Sequence, residues 1–415
     1  LARARTGNDA WDMDSDDGPA TRLRRAKIGV TAAFVAHAVA FSSWAAHIPR
    51  VKAELGLSDA ALGTALFGAP LGSVAATLLG HWALPRWGSH RLVPVTVAGY
   101  AAAGTTVGLA GSGAWLFAAL ALWGFFQGGL DVAMNTQAAA VERLARAPIM
   151  ARFHGMWSVG ALLGALVGAA CVGAGVGLPA QLAVLGAVVL LVVGALTRHL
   201  IPDRAAGPDP GAGEPRRART AWRSKSVGVL AAVAFASFLC EGAAADWSAN
   251  YLRNVVGAGP GLAALSYVAY TLTMVVTRFG AAHLHARVSS RALLPALALL
   301  AAVAMAATLA TAHAGVAVVG FAALGAGVAL LVPTAFSAAY SASGAGSAIA
   351  LVAATGWVGY LLGPPLIGHL AARVGLSAAL ATIPVMMCAA GIAIRRTRAF
   401  DRADEFHREV ASPAG

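Results

Sequence analysis

The chain has 415 residues, of which 58% are hydrophobic and only 12% charged, and its net charge is +12. A soluble domain carries about twice that charged fraction, so with a mean hydropathy of +0.70 an ordinary soluble enzyme is excluded. The basic balance suggests a nucleic-acid partner until the charges are placed along the chain.

The first 21 residues hold Asp9, Asp12, Asp14, Asp16 and Asp17 and read as a disordered tail. They lack the apolar stretch of a signal peptide, which leaves targeting to the first span. Apolar runs of bilayer-spanning length follow. In the first half they lie at 27–47, 60–80, 92–111, 115–140, 153–175 and 179–199. In the second half they lie at 227–249, 261–281, 292–313, 315–339, 347–371 and 377–395. Residues 200–225 interrupt the pattern with Pro202, Pro208, Pro210 and Pro215 among charged residues, which precludes a continuous helix. The expected organisation is a tail (1–21), a six-helix lobe (22–199), a linker (200–225), a second six-helix lobe (226–398) and a tail (399–415). The fold class is therefore an all-α integral membrane protein of 12 spans in two lobes.

With the N-terminus inside, only Arg50, Lys52, Arg253 and Arg373 of the 30 Lys and Arg fall on the outer side. This positive-inside asymmetry predicts a multi-pass protein of the cytoplasmic membrane with both termini in the cytoplasm. It also replaces nucleic acid by the lipid bilayer as the expected partner. Cys171, Cys240 and Cys388 lie in apolar runs without metal-ligand spacing and read as small core residues. No phosphate-cradling loop, zinc-protease motif or nucleophile elbow occurs, so neither an ATP motor nor an enzyme is expected. No cofactor or metal is implied, and a monomer is expected.

Asp131 stands out within this pattern. It lies in the run 115–140, with Gln127 four residues before it and Asn135 four after, which makes a polar stripe on one helical face. A carboxylate at the centre of a span costs roughly 2.5–3.5 kcal/mol on insertion scales, so it calls for a wet cavity or a buried partner. It is a candidate proton-coupling group; the alternative is a structural ion pair with Arg143 or Arg152. Asn135 and Gln127 can bind hydroxyl or amide groups, or bond other helices. Gln137 lies off this face and reads as structural. His37, near the middle of the first span, can carry protons near neutral pH or be a core histidine. Glu241, read in the outer third of the seventh span, can pair with Arg253 or line an outer vestibule, and Asp246 reads as surface. Trp157, Trp357 and Tyr360 offer faces for stacking on a ligand, or for packing. Gly160, Gly164 and Gly168 mark close helix contact.

The two halves also echo each other. Trp44-x-Ala46-x-x-x-Arg50 matches Trp247-x-Ala249-x-x-x-Arg253, and the segment Gly80 to Arg91 matches Gly280 to Arg291. Trp157 and Trp357 are each followed eleven residues later by Gly168 and Gly368. Parallel six-helix repeats are a transporter design. With the basic linker, they resemble the major facilitator superfamily from about Arg22 to Arg398. Asp131-Val-Ala-Met-Asn135 resembles the helix-four signature of its fucose-permease-like branch. The resemblance implies that the first, fourth, seventh and tenth helices line a central cavity. It further implies proton-coupled symport of a small polar organic solute, sugars included, by alternating access. Proton-coupled efflux is the alternative reading, and a non-transporting membrane sensor a further one. Three departures are visible. The acid of the superfamily's loop motif is replaced by Leu84, the arginine position of the drug-antiporter motif is Gly124, and the helix-one acid is absent, with Ala45 and His47 nearby.

Overall fold

The computed structural model describes residues 18–145, 149–203, 224–343 and 346–401. The acidic tail as far as Asp17, Arg146, most of the central linker and everything after Asp401 lie outside the described residues. Regular structure among the described residues is entirely helical. The first half contains α1 (Pro19–Trp44), α2 (Ile48–Glu54), α3 (Asp59–Leu66), α4 (Gly68–Trp87), α5 (Ser89–Gly108), α6 (Gly113–Ala145), α7 (Met150–Gly173), α8 (Leu178–Val188) and α9 (Gly194–Leu196). The second half contains α10 (Lys225–Asn254), α11 (Pro260–Phe279), α12 (Ala281–Arg287), α13 (Ser290–Thr311), α14 (Ala314–Val328), α15 (Leu331–Ser343), α16 (Gly346–Val374), α17 (Leu376–Leu380) and α18 (Thr382–Arg396).

Eleven helical stretches among the described residues are long and apolar enough to cross a membrane. The remaining expected run, 92–111, is helical as α5, but Thr96, Thr105 and Thr106 dilute its apolar character. The chain is thus a multi-pass helical membrane protein. Of the three cysteines only Cys240 is buried; Cys171 is half-buried and Cys388 exposed. That corrects the expectation that all three are core residues.

The chain divides into two compact units. The first comprises residues 1–44, 68–164 and 175–210, and the second 45–67, 165–174 and 211–415. In the first unit the closest seam joins α4 to α6. A Cβ on Gly72 would lie 1.9 Å from the Ala121 carbonyl oxygen, and one on Gly124 would lie 1.9 Å from that of Ala69. Small residues allow this backbone approach, and dispersion across the seam replaces the hydrophobic drive that lipid cannot supply. Gly160 and Gly164 of α7 meet the backbone of Val35 and Val39 on α1, as the spacing predicts.

In the second unit α3 packs on α16 through glycine. A Cβ on Gly63 would come within 2.5 Å of the Pro364 carbonyl oxygen and 3.0 Å of the Gly368 Cα. Ser58 caps α3 by accepting from the Ala61 amide at 3.2 Å, and an ion pair between Lys52 and Asp59 ties α2 to it.

The run 315–339 is not one continuous helix. It breaks at Ala329–Leu330, between α14 and α15. Pro333 has no amide hydrogen for the Ala329 carbonyl four residues earlier, so that acceptor needs another donor inside an apolar layer. Arg278 of α11 supplies it, Nε to oxygen, at 3.3 Å, and the Ser237 hydroxyl of α10 donates to the adjacent Val328 carbonyl at 3.5 Å. Arg278→Ala is expected to cost about 1–3 kcal/mol, as for an orphaned buried acceptor. In a Pro333→Ala background, where the amide is restored, the cost should shrink. Thermal midpoints of the four proteins in detergent check this, and an undiminished cost would show that Arg278 acts elsewhere.

Candidate functional site

The expected stripe on α6 is present. Gln127, Asp131 and Asn135 are all half-buried, while Gly128, Leu130, Ala133 and Met134 between them are buried. Asn135 Nδ2 donates to the Asp131 carboxylate at 3.2 Å and to the Asp131 backbone carbonyl at 2.8 Å. The amide thus holds one carboxylate oxygen and leaves the other open. No ion pair joins Asp131 to a described residue, so the alternative pairing with Arg143 or Arg152 is absent from the structure. A half-buried carboxylate with one neutral partner is a group whose charge depends on what else reaches it. The Gln127 side chain forms no hydrogen bond with a described residue and keeps its donors and acceptor available.

A second constellation in the same unit surrounds His37, which is 4% exposed. The Trp157 indole N–H donates to His37 Nδ1 at 3.0 Å, and the Tyr100 hydroxyl donates to the His37 carbonyl at 3.2 Å. The imidazole stacks on Tyr100 at 5.7 Å between centroids, and Tyr100 stacks on Trp123 at 5.3 Å and 7°. Because Nδ1 accepts, the neutral ring carries its proton on Nε2, a buried atom without a well-formed hydrogen bond, and the Gln127 backbone of α6 is the polar group that acts on the ring. Trp157 therefore spends its polar edge on orienting His37. No hydrogen bond links this ladder to the Asp131–Asn135 pair. Tyr100 and Trp123 escaped sequence reasoning; an aromatic in the least apolar of the runs was the available signal.

In the second unit, Glu241 and Asp246 lie on α10. Sequence reading trimmed this helix at residue 249, but it continues through Trp247, Ser248, Asn250 and Tyr251 to Asn254. Glu241 consequently sits near the helix midpoint rather than in its final third. Asp246 lies two turns inside the helix end and is half-buried. The expected alternative of a Glu241–Arg253 pair is not formed; Arg253 donates to the Ala258 carbonyl at 3.0 Å instead. Arg278 is the cation whose charge acts on Glu241, and Tyr270, with a buried hydroxyl lacking a partner, lies in the field of both. Sequence reading passed over Arg278 and Tyr270, although Pro333 in an apolar run signals a freed carbonyl in need of a donor. Trp357, 52% exposed, meets Phe238 at 5.5 Å and Tyr360 edge-on at 5.7 Å. Tyr360 in turn lies over Gly242, next to Glu241.

Long apolar helices, a carboxylate with no ion partner among the described residues on one of them and half-buried polar side chains beside it define a multi-pass helical membrane protein with polar groups set within its spans. The family model of the Major Facilitator Superfamily matches residues 30–346. The chain belongs to that superfamily. An uncharacterised MFS-type transporter of Yersinia pestis is 30% identical over 252 residues, 61% of this chain and 64% of its own length. An uncharacterised transporter of Sinorhizobium fredii, y4wD, is 31% identical over 61% of this chain and 66% of its own. The chain thus spans slightly less than two thirds of the length of these two relatives. The membrane protein MosC of Rhizobium meliloti is 30% identical over 72% of this chain and 73% of its own. Among solved structures, a bacterial homologue of the human lysosomal transporter Spinster, inward-facing and unoccupied, shares 20% identity. It has a TM-score of 0.66 and covers 96% of this chain and all of its own. The nucleoside transporter NupG shares 11%, with a TM-score of 0.70 over 90% of this chain and 98% of its own. At these identities the two structures bear on the fold alone.

Proposed function

We propose that this protein is a secondary active transporter that moves a small polar organic solute across the cytoplasmic membrane by alternating access, with proton symport. The observation that carries the reading is Asp131, a half-buried carboxylate on a spanning helix, bonded only to Asn135 among the described residues. An acid so placed is costly when ionised, and proton uptake removes that cost in one state of the cycle. Asp131 takes the proton. In the first unit Asn135, Gln127 and His37 are the candidate hydrogen-bonding groups for the solute and Trp157 a flat apolar surface; in the second unit Glu241 is the candidate hydrogen-bonding group and Trp357 and Tyr360 the flat surfaces. The solute's polar character is supported by these side chains, whose donors and acceptors match hydroxyl or amide groups. The finer placement in the fucose-permease-like branch rests on Asp131 and Asn135, and the termini lie in the cytoplasm by the positive-inside asymmetry.

Efflux by drug/proton antiport is disfavoured by Gly124. The antiporter arginine belongs at that position, and here a Cβ alone would collide with Ala69. The test is a metabolite panel scored by thermal stabilisation of the purified protein. Uptake of each stabilising solute into proteoliposomes is then measured with the interior made alkaline. Accumulation that follows the imposed pH gradient is the expected result. Uptake that ignores both the sign and the size of the gradient would exclude proton coupling.

A further inference from the structure

A densely cross-linked polar cluster of the first unit lies away from the stripe, toward the C-terminal end of α6. Asp203, just after α9, accepts from the Ser89 backbone amide at 2.7 Å and also from the Ser89 hydroxyl. Gln137 of α6 donates from Nε2 to the Ser89 hydroxyl at 2.8 Å, to the Ile201 carbonyl at 2.6 Å and to the Asp203 carboxylate at 3.3 Å. Its Oε1 accepts from the Ile201 amide at 3.2 Å. Ser89 and Gln137 are both 0% exposed.

One carboxylate and one amide thereby join the start of α5, the body of α6 and the segment after α9. Asp203 caps α5 from 114 residues away, setting negative charge where the helix presents unsatisfied N–H groups. Gly88, with φ of 75°, makes the approach possible, since a Cβ there would lie 3.3 Å from Asp203 Oδ2 and 2.8 Å from the His90 ring. Each member is satisfied by the others, and deleting one strands the rest in a buried setting.

Gln137 follows Asp131 on the same helix by six residues, which places it about 9 Å along the axis and about 120° around it. Gln137 is held on the buried face while Asp131 occupies the half-open one. A helix pinned on one face has little freedom to rotate or slide on the other. Few other groups can hold Asp131. His37 on α1, Arg86 on α4, and His90, Arg91 and Tyr100 on α5 are described titratable side chains of the helices packed on α6. None of them, nor any basic residue at the start of α1, bonds to Asp131.

We propose that Asp203 and Gln137 are positioning residues for Asp131, fixing the rotation and height of α6 and so the surroundings in which Asp131 binds its proton. This rests on the proton-carrying role given to Asp131 above. The test reads Asp131 directly in the purified full chain, by mass spectrometry of its labelling with a hydrophobic carbodiimide, which adds to protonated carboxyls, as a function of pH. Asp203→Asn and Gln137→Met are compared with Gln181→Met. The last removes another buried amide of the same unit, which lies on α8 rather than α6 and is bonded to the Ser43 carbonyl at 3.2 Å.

The expected result is that Asp203→Asn and Gln137→Met move the labelling midpoint by at least about half a pH unit, about threefold in proton affinity, while Gln181→Met leaves it in place. Asp203→Glu should return it toward the wild-type value. Should Gln137→Met fail to fold, Asp203→Asn still decides, because an Asn oxygen can accept from the Ser89 amide. Wild-type midpoints in Asp203→Asn, or an equal shift in Gln181→Met, would overturn the inference while leaving the role of Asp131 standing. A wild-type Asp131 whose labelling shows no pH dependence would remove both.

Discussion

Asp131→Asn should reduce pH-gradient-driven accumulation to the level of protein-free liposomes while leaving solute exchange between equal pools intact. Asparagine imitates the protonated acid in shape and charge and can never release a proton, so a symporter carrying it loses the link to the gradient but not the path. The protein itself should be made at least as well as wild type. The substitution removes a charge whose insertion costs roughly 2.5–3.5 kcal/mol, and the Asn135 amide can still donate to the new side-chain oxygen as it does to Asp131. Full gradient-driven uptake by membrane-inserted Asp131→Asn would sink the coupling assignment. Loss of exchange as well would mean that Asp131 contacts the solute. The two outcomes are separable in one preparation, with the solute identified from the panel.

Gly124→Leu should be the most damaging single change in the first unit. The Cβ positions of Gly124 and Gly72 each fall 1.9 Å from a carbonyl oxygen of the facing helix, so a side chain at either cannot be housed by rotamer adjustment. The helices must separate by ångströms along a seam that α6 needs for its position. Overpacking of a well-packed core costs about 1–3 kcal/mol and sometimes more; a collision with backbone belongs at or above the top of that range. Failure to accumulate in the membrane, or a large fall in thermal midpoint, is expected. Gly194→Ala, where nothing lies within 4 Å of the added carbon, should be silent. A well-folded Gly124→Leu protein would show that the seam is looser than its geometry implies.

The same glycine explains how far the sequence could be read. An arginine at 124 is a motif feature of other transporters, and its absence was visible in one dimension; its physical reason, the Ala69 carbonyl, was not. Membrane-spanning runs were legible because apolar residues segregate at bilayer length. The polar stripe of Gln127, Asp131 and Asn135 was legible because its repeat is local to one helix. Glu241 was misplaced because the mixed stretch from Trp247 to Asn254, with Ser248, Asn250, Arg253 and Asn254, looked like the end of a span, whereas buried neighbours allow α10 to continue through it. The Asp203–Ser89–Gln137 cluster was invisible for a different reason. Its partners stand 48 and 114 residues apart, and no periodicity connects them. Gln137 accordingly read as a plain structural residue, and Leu84 as a gap in a motif.

Residues 45–67 have a consequence for how the protein is made. They leave the ribosome early, yet they belong to the second unit, where Gly63 of α3 nests against Pro364 and Gly368 of α16. That helix begins only at Gly346. At about 5–20 residues per second, the wait between making α3 and making its partner is on the order of 15–60 s. During that interval a glycine-bearing surface shaped for another helix is presented to lipid or to the insertion machinery. Nascent chains halted before residue 346 should therefore be the species most readily captured by membrane chaperones and quality-control proteases, and the moment α16 emerges should mark the end of that vulnerability.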